Sequence, residues 1–580
     1  MTSRAWIRLL PAAFILAVVF AIMGGGRMVR PVMSAAEPFQ TPTPAPAAFD
    51  NQTNGFTPDQ KDFEEDKEAF DETEEVFKKP EIKDEKGCVV REEVEGGLGP
   101  VYNSTSCVAC HQNAGFVVTP VMTTQKGSDA VSGTSSQVSE IRAGHNEVIN
   151  NKIFFRDAPG GSVIQQRAID PRIQERVPVE ENIRTLRMAT SILGDGFVES
   201  IPDLDLIKVR DEQDPDVRGV ANIVPVAVDV ARDSAGRPIL DADGQPKDFV
   251  FESRIGRFGW KCQEASLLNF SAGAYVAEMG ITSPLQRFEN TSLGRAVDNF
   301  DPVKDPEDRA DFTKTPAVRF GEDVEAFARF MRSTKAPPQA AATEPANVAA
   351  GRRIFNEIGC AVCHHPEFTT APMNTRFGDL ILNAALARKT IRPYSDFLLH
   401  DIGTGDGIVQ TQYAELPPYG LTTSVSAAPG APSPDILAGG VSITINFERL
   451  NALLRGELDP NNRRQSRALS FRERVEPAVQ VEGDPAKINR RQFGGLEGLS
   501  LRANEAFQMP LLYTTTTAQM IRTAPLWGLR TRPQLLHDGR ALTLIDAIEA
   551  HHNQAEKSRL RFDARPDAEK QQLLDFLNFL

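Results

Sequence analysis

Cysteine is scarce in this chain, with 6 among 580 residues, beside 3 tryptophans and 8 histidines. Basic charge is also short: the formal net charge is −14, which argues against nucleic acid as a partner. No long apolar run opens the chain either. The N-terminal run from Leu9 to Met23 is 15 residues, below the roughly 20 that a membrane span needs. It fits the apolar core of an export signal behind Arg4 and Arg8, with a small-x-small cleavage site at Ser34 and Ala36. Arg27 and Arg30 make the next stretch long and basic for a cleaved signal, so an uncleaved inner-membrane anchor is the alternative. Residues 1–36 are read as signal peptide or membrane anchor, and the rest as exported to the bacterial periplasm.

Against that scarcity, placement matters. Four of the 6 cysteines lie in two pentads, "CVACH" at Cys107 to His111 and "CAVCH" at Cys360 to His364. Cys-x-x-Cys-His is the attachment site of c-type haem. Both thiols can add to the vinyl groups of one haem, and the adjoining histidine turns under the iron as proximal ligand. Chance would give such a pentad roughly 10⁻³ times per chain of this composition, so two are not accidental. Zinc would want four Cys/His ligands close together, yet the pairs are 253 residues apart. A redox dithiol expects a βαβ context, and neither pentad has one. Cys88 and Cys262 remain, either as a disulfide or as two buried thiols.

The rest of the chain supplies boundaries. Residues 37–58, rich in Pro, Thr and Ala, are expected to be a disordered linker. Between Asp59 and Glu95 stand 16 acids against 7 bases. There Phe56, Phe63, Phe70 and Phe77 recur every seventh residue, giving one narrow stripe on an acidic helical segment, 59–95. That stripe either lies on a domain or forms a docking face for a basic electron donor. Residues 336–347 read as a linker between two related modules, 96–335 and 348–580. Each pentad has an aromatic residue and an asparagine just upstream, Tyr102–Asn103 and Phe355–Asn356. A small β excursion is expected near 220–252, a long irregular insertion at 415–440, and mainly helix elsewhere.

"GLGPVYNSTSCVACH", "SILGDGFVESIPD", "RIGRFGWK", "PYSDFLLHDIG" and "TAPLWGLRTRPQLLHDGRALTLIDAIEAHH" resemble the di-haem oxidoreductase and peroxidase family. That family sits within the superfamily of bacterial di-haem cytochrome c peroxidases and methylamine-utilisation di-haem enzymes. The resemblance runs discontinuously from about Gly96 to the C-terminus. It implies a mainly α fold of two cytochrome c-like haem modules with irregular and small β insertions, and two covalently bound c-type haems. It also implies reduction of hydrogen peroxide with electrons from a small donor protein, a cytochrome c or a cupredoxin. The rivals are an electron-transfer cytochrome with two bis-histidine haems, and an oxidase or oxygenase of an organic or protein substrate.

Ligands follow from the same resemblance. Cys107, Cys110, Cys360 and Cys363 attach the haems, and His111 and His364 are proximal. In similar peroxidases the axial methionine of the C-terminal haem lies fourteen residues beyond the "HDG" histidine. Here that count from His537 reaches His551. Imidazole thus replaces thioether, which lowers the expected potential; His552 is the alternative. "IRAGHNEV" offers His145 as distal ligand and acid–base group of the first haem, although it follows His111 by 34 residues, more than double the expected separation. His537 is expected near a haem edge, His400 near a pocket or propionate, and His365 at neither iron. Trp260, in "RFGWK", is a candidate bridge between haems or simply core. The superfamily's calcium cannot be assigned, because the residues before "HDG" do not match its pattern.

Overall fold

The computed structural model describes residues 41–74, 97–111, 139–149, 152–297, 299–301, 303–342, 344–409, 421–425, 442–445, 479–482, 499–503 and 515–580. Residues 1–36, Phe77, Cys88 and most of the 415–440 insertion therefore lie outside the described residues. Among the described residues no helix is long and apolar enough to cross a membrane.

Residues 41–58 are ordered, contrary to the linker expected there. Strand β1 (Thr43–Pro44) pairs in parallel with Lys389 and Thr390. Ala48 N donates to Ala336 O, and Asn54 Nδ2 donates to the carbonyls of Arg332 and Thr334. Proline and alanine here do not unravel the chain; they fit an edge strand, where a missing N–H is tolerated.

Helix α1 (Gln60–Asp71) begins where the Asp59 side chain accepts from Lys61 N. Its seven-residue stripe faces inward. Phe63 lies 5.4 Å from Phe330, and Phe70 lies 5.0 Å from Phe330 and 6.1 Å from Phe327, ring centre to ring centre. Asp66, on the same face, takes both ends of the Arg329 guanidinium. The Phe63–Phe70 stripe is thus covered by the protein's own core and does not serve as a donor-docking face.

The mainly α expectation fails: 29% of the structure is helix and 20% strand. Strand β2 (Ser139–Ile149) pairs antiparallel with β3 (Lys152–Asp157) and with β4 (Ile183–Met188). Strands β5 (Ile223–Val230) and β6 (Phe249–Ile255) form the expected hairpin. They belong to a four-stranded sheet whose other members include Leu499–Ala503 of the second half. The reason is local. "IVPVAVDV" and "FVFESRI" alternate with β-branched and aromatic residues, and 42 glycines and 40 prolines cut the remaining apolar pattern too short for long helices.

Helix α2 (Glu322–Ser333) is strongly two-faced and buries Phe327 and Phe330 against α1. Near its end Arg332 is one of the buried polar ties between halves. It makes paired hydrogen bonds to Glu199 (2.7 and 2.8 Å) and to Asp379 (2.7 and 2.8 Å). Helix α3 (Pro345–Ile358) starts on a proline at its first turn and ends at Gly359, whose φ of 100° is open to glycine and strained for other residues. It packs on α4 (Asp567–Phe579) through Phe355 and Phe576. Residues Pro42–Leu580 form one unit by their contacts, so the two pentad-bearing halves share a common body.

Candidate functional site

Both pentads fold into the same turn. In the first, the Ser106 side chain accepts from Ala109 N at 3.3 Å, and His111 N donates back to Cys107 O at 2.9 Å. In the second, Gly359 releases the chain from α3, and His364 N donates back to Cys360 O at 2.9 Å. Each histidine is then fixed by its other side. His111 Nδ1 lies 2.9 Å from Thr190 O, and His364 Nδ1 lies 3.0 Å from Tyr394 O. A carbonyl can only accept, so Nδ1 carries the proton and Nε2 keeps its lone pair for a metal. A phenylalanine neighbours each imidazole, Phe70 at 6.1 Å and Phe355 at 6.3 Å.

One cavity of roughly 710 Å³ reaches both pentads, touching Cys110, His111, Cys360, Cys363 and His364. Cys107 packs into the main apolar core beside it. His551 enters the same cavity, with Nδ1 2.6 Å from Ala547 O. Its ring centre is 6.5 Å from that of His364. Two imidazoles bound on opposite sides of one metal, at about 2.0–2.1 Å per bond, have centres about 6.4 Å apart. The His364–His551 spacing therefore suits a six-coordinate iron. His552 points elsewhere, to Glu556 at 3.0 Å.

Burial sets the protonation states. It pushes His111 and His551 below the ordinary imidazole range and His364 down to about 4, so all three are neutral. It pushes the Cys107, Cys110 and Cys360 thiols up to about 12. A redox dithiol works through thiolate, which this burial opposes. Among the described residues no cluster gathers four Cys and His side chains. The cavity wall is also rich in buried cation. Burial lowers Arg522, and lowers Arg532 to about 10, while the neighbouring Asp195 is raised to about 7. Arg522 Nε is buried without a partner. Buried guanidinium left short of acid suits the carboxylates of haem, so the residues present fit that group.

The other expected residues divide. The structure does not bring His145 to the cavity: on β2, 35% exposed, it meets Glu181 at 2.8 Å. His365 packs at a tilt against Phe368, ring centres 4.9 Å apart. Trp260 lines the cavity and donates from Nε1 to Met188 O at 2.7 Å. Cys262 is buried with Sγ 3.2 Å from Phe397 O, and its suggested partner Cys88 lies outside the described residues.

His537 is the residue that sequence reasoning undervalued. It lines the cavity, is 1% exposed, and stands 6.2 Å from the Trp260 ring. Both ring nitrogens are buried without a partner. Its carbonyl accepts from Met188 N, two residues before the Thr190 that anchors His111. Burial lowers it to about 4. Between pH 6.5 and about 4 the unfolded chain then binds a proton there that the folded chain refuses. Stability is expected to fall with acid through that window, by at most about 1.4 kcal/mol per pH unit from this group. Urea midpoints from pH 7 to 4.5 should fall less steeply in His537→Gln than in wild type.

Two histidine-bearing pentads opening on one cavity, with a second imidazole facing one of them, define a candidate two-centre redox site. The chain matches the family described as "Di-haem oxidoreductase, putative peroxidase" over residues 165–414 and 514–580, more than half its length, and belongs to that family. The match includes the second pentad, Trp260, His400, His537 and His551, whereas the first pentad precedes it. Haem is thus the cofactor class, and oxidoreductase chemistry the reaction class, that membership implies. No curated protein sequence matches the chain. A solved structure, Kuenenia stuttgartiensis hydrazine synthase pressurized with 20 bar xenon, is 17% identical and covers 46% of this chain and 57% of its own. Its TM-score is 0.20, too low to carry an argument.

Proposed function

We propose that this chain is an exported di-haem c-type peroxidase, reducing hydrogen peroxide to two waters with two electrons from a small cytochrome c or cupredoxin. The carrying observation is the asymmetry of the shared cavity: both proximal histidines have a phenylalanine beside them, but only His364 has a second imidazole, His551, as ring neighbour among the described residues. Cys107 and Cys110, with His111, would hold one haem, and Cys360 and Cys363, with His364 and His551, the other. Bound there, the two irons supply one-electron storage and a place for the oxidant.

The protein's own part is positioning and proton supply. Thr190, Tyr394 and Ala547 fix the three imidazoles by their Nδ1 protons. Splitting peroxide into two waters takes up two protons, which calls for an acid–base group inside the cavity. His145 stands outside it, so the role passes to His537, a neutral imidazole with both nitrogens free to accept and donate. Trp260 stands beside His537 and is held by Met188 O, at the end of the strand that leads to Thr190, the anchor of His111.

The same free nitrogens favour a second reading. If His537 closes the first iron, both haems are six-coordinate and the protein only carries electrons. His537→Gln separates the two. In a peroxidase, peroxide turnover with reduced cytochrome c is expected to fall by about 10²-fold or more with the haem spectrum unchanged. A haem that turns high-spin in the variant, with faster reaction towards peroxide, makes His537 a ligand and the wild type a carrier.

A further inference from the structure

His400 is the buried histidine that this reaction does not use. It lies in strand β7 (Leu399–Asp401) and borders the cavity beside the second pentad. Its Nε2 is 2.8 Å from Asp396 Oδ2, and its Nδ1 is 3.6 Å from Cys363 Sγ. The carboxylate is fixed from several sides. Leu398 N donates to Oδ1 at 3.0 Å, and Gln213 Nε2 donates to Oδ2 at 2.7 Å. Gln213 Nε2 also donates to Val362 O inside the pentad, at 2.8 Å, and Asp396 N donates to Cys363 O at 2.9 Å. The histidine has no room to turn away. A Cβ at Gly219 would come within 2.6 Å of His400 Nε2, so only glycine lets that segment pass over the ring.

We propose that the Asp396–His400 pair is a tuning device for the second haem, placing a fixed positive group against the Cys363 sulfur. The inference rests on the reading that Cys363 carries haem as a thioether. A free thiol could give its proton to Nδ1, but a thioether sulfur has none, so the contact then requires Nδ1 to donate. Nε2 already faces a carboxylate, which only accepts. With both ring nitrogens donating, His400 is an imidazolium whose counter-ion lies on its far side from the sulfur. Burial lowers His400, and Asp396 and the Cys363 thiol raise it; in a thioether only the Asp396 carboxylate remains to hold the charge. Positive charge close to a haem edge favours the reduced iron, so this pair lifts the potential that bis-histidine ligation depresses.

Full-length wild type, His400→Gln and Asp396→Asn are to be compared by haem content of the denatured chain, EPR and spectroelectrochemical titration. Two covalent haems in the wild type support the underlying reading, and fewer overturn it together with this one. The potential of the second haem is expected to fall in both variants, while its low-spin g values and the first haem's potential stay put. In His400→Gln the cation is gone; in Asp396→Asn the imidazole loses the acceptor that keeps it charged. Two haems with an unshifted second potential in both variants, or a rise in Asp396→Asn, overturn the tuning role alone. Should His400→Gln fail to retain haem, Asp396→Asn decides.

Discussion

In His551→Ala protein the second haem is expected to change from low-spin to high-spin while the first keeps its spectrum. His551 is the only second imidazole seen facing His364 among the described residues, at 6.5 Å between ring centres. It is held by the short helix Leu544–Glu549, which the Thr543–Asp546 capping box starts, and by the 2.6 Å contact of Nδ1 with Ala547 O. Alanine removes the ring without disturbing the cap, so the iron loses its sixth ligand and the fold stays. His551→Met tests the same position by exchange. It should keep the haem low-spin but raise its potential, since thioether favours ferrous iron more than imidazole does. Unchanged spectra in both variants would mean that His551 is only a wall of the cavity.

The second large effect is on stability. Arg332→Ala is expected to destabilise the folded protein by about 3–5 kcal/mol, because removing one partner leaves Glu199 and Asp379 as uncompensated buried charge. Glu199 sits in the first half and Asp379 in the second, and the guanidinium reaches both with paired bonds of 2.7–2.8 Å. Arg332→Lys should recover little, since an ammonium lacks the planar fork that makes paired bonds to both carboxylates. Urea denaturation followed by tryptophan fluorescence and by haem absorbance reads the loss; midpoints equal to wild type would show the ion network to be dispensable.

The chemistry was more legible in the sequence than the architecture, for a physical reason. Attachment of haem by two thiols and an adjoining imidazole is a local demand, so the pentads declare themselves in five residues. His551 was reached through the family resemblance, by the fourteen-residue offset from His537, and a short capped helix precedes it in the structure. The strands Ser139–Ile149 and Ile183–Met188 were missed because their pattern gains its meaning only from pairing with each other, and the 220–252 hairpin, announced by its own alternation, gave no sign of its distant partner Leu499–Ala503. Phe70 behind His111 was hidden similarly: its seven-residue spacing marked a buried face without saying what it would be buried against. His145 misled because a Gly-His context says nothing about which way a strand turns its side chain. The Asp396–His400 contact depends on bends no local pattern foretells. Tyr394 and Phe397 take φ values of 52° and 56°, conformations non-glycine residues seldom adopt. Those bends let one segment present Tyr394 O to His364 and Asp396 to His400.

The most direct test of the two-centre site is an EPR spectrum of the fully ferric and the half-reduced full-length protein, before and after hydrogen peroxide. A low-spin bis-histidine signal from the second haem is expected, together with a high-spin signal from the first on half-reduction that peroxide consumes. Two low-spin haems that ignore peroxide in both states would contradict the peroxidase and make this protein an electron carrier.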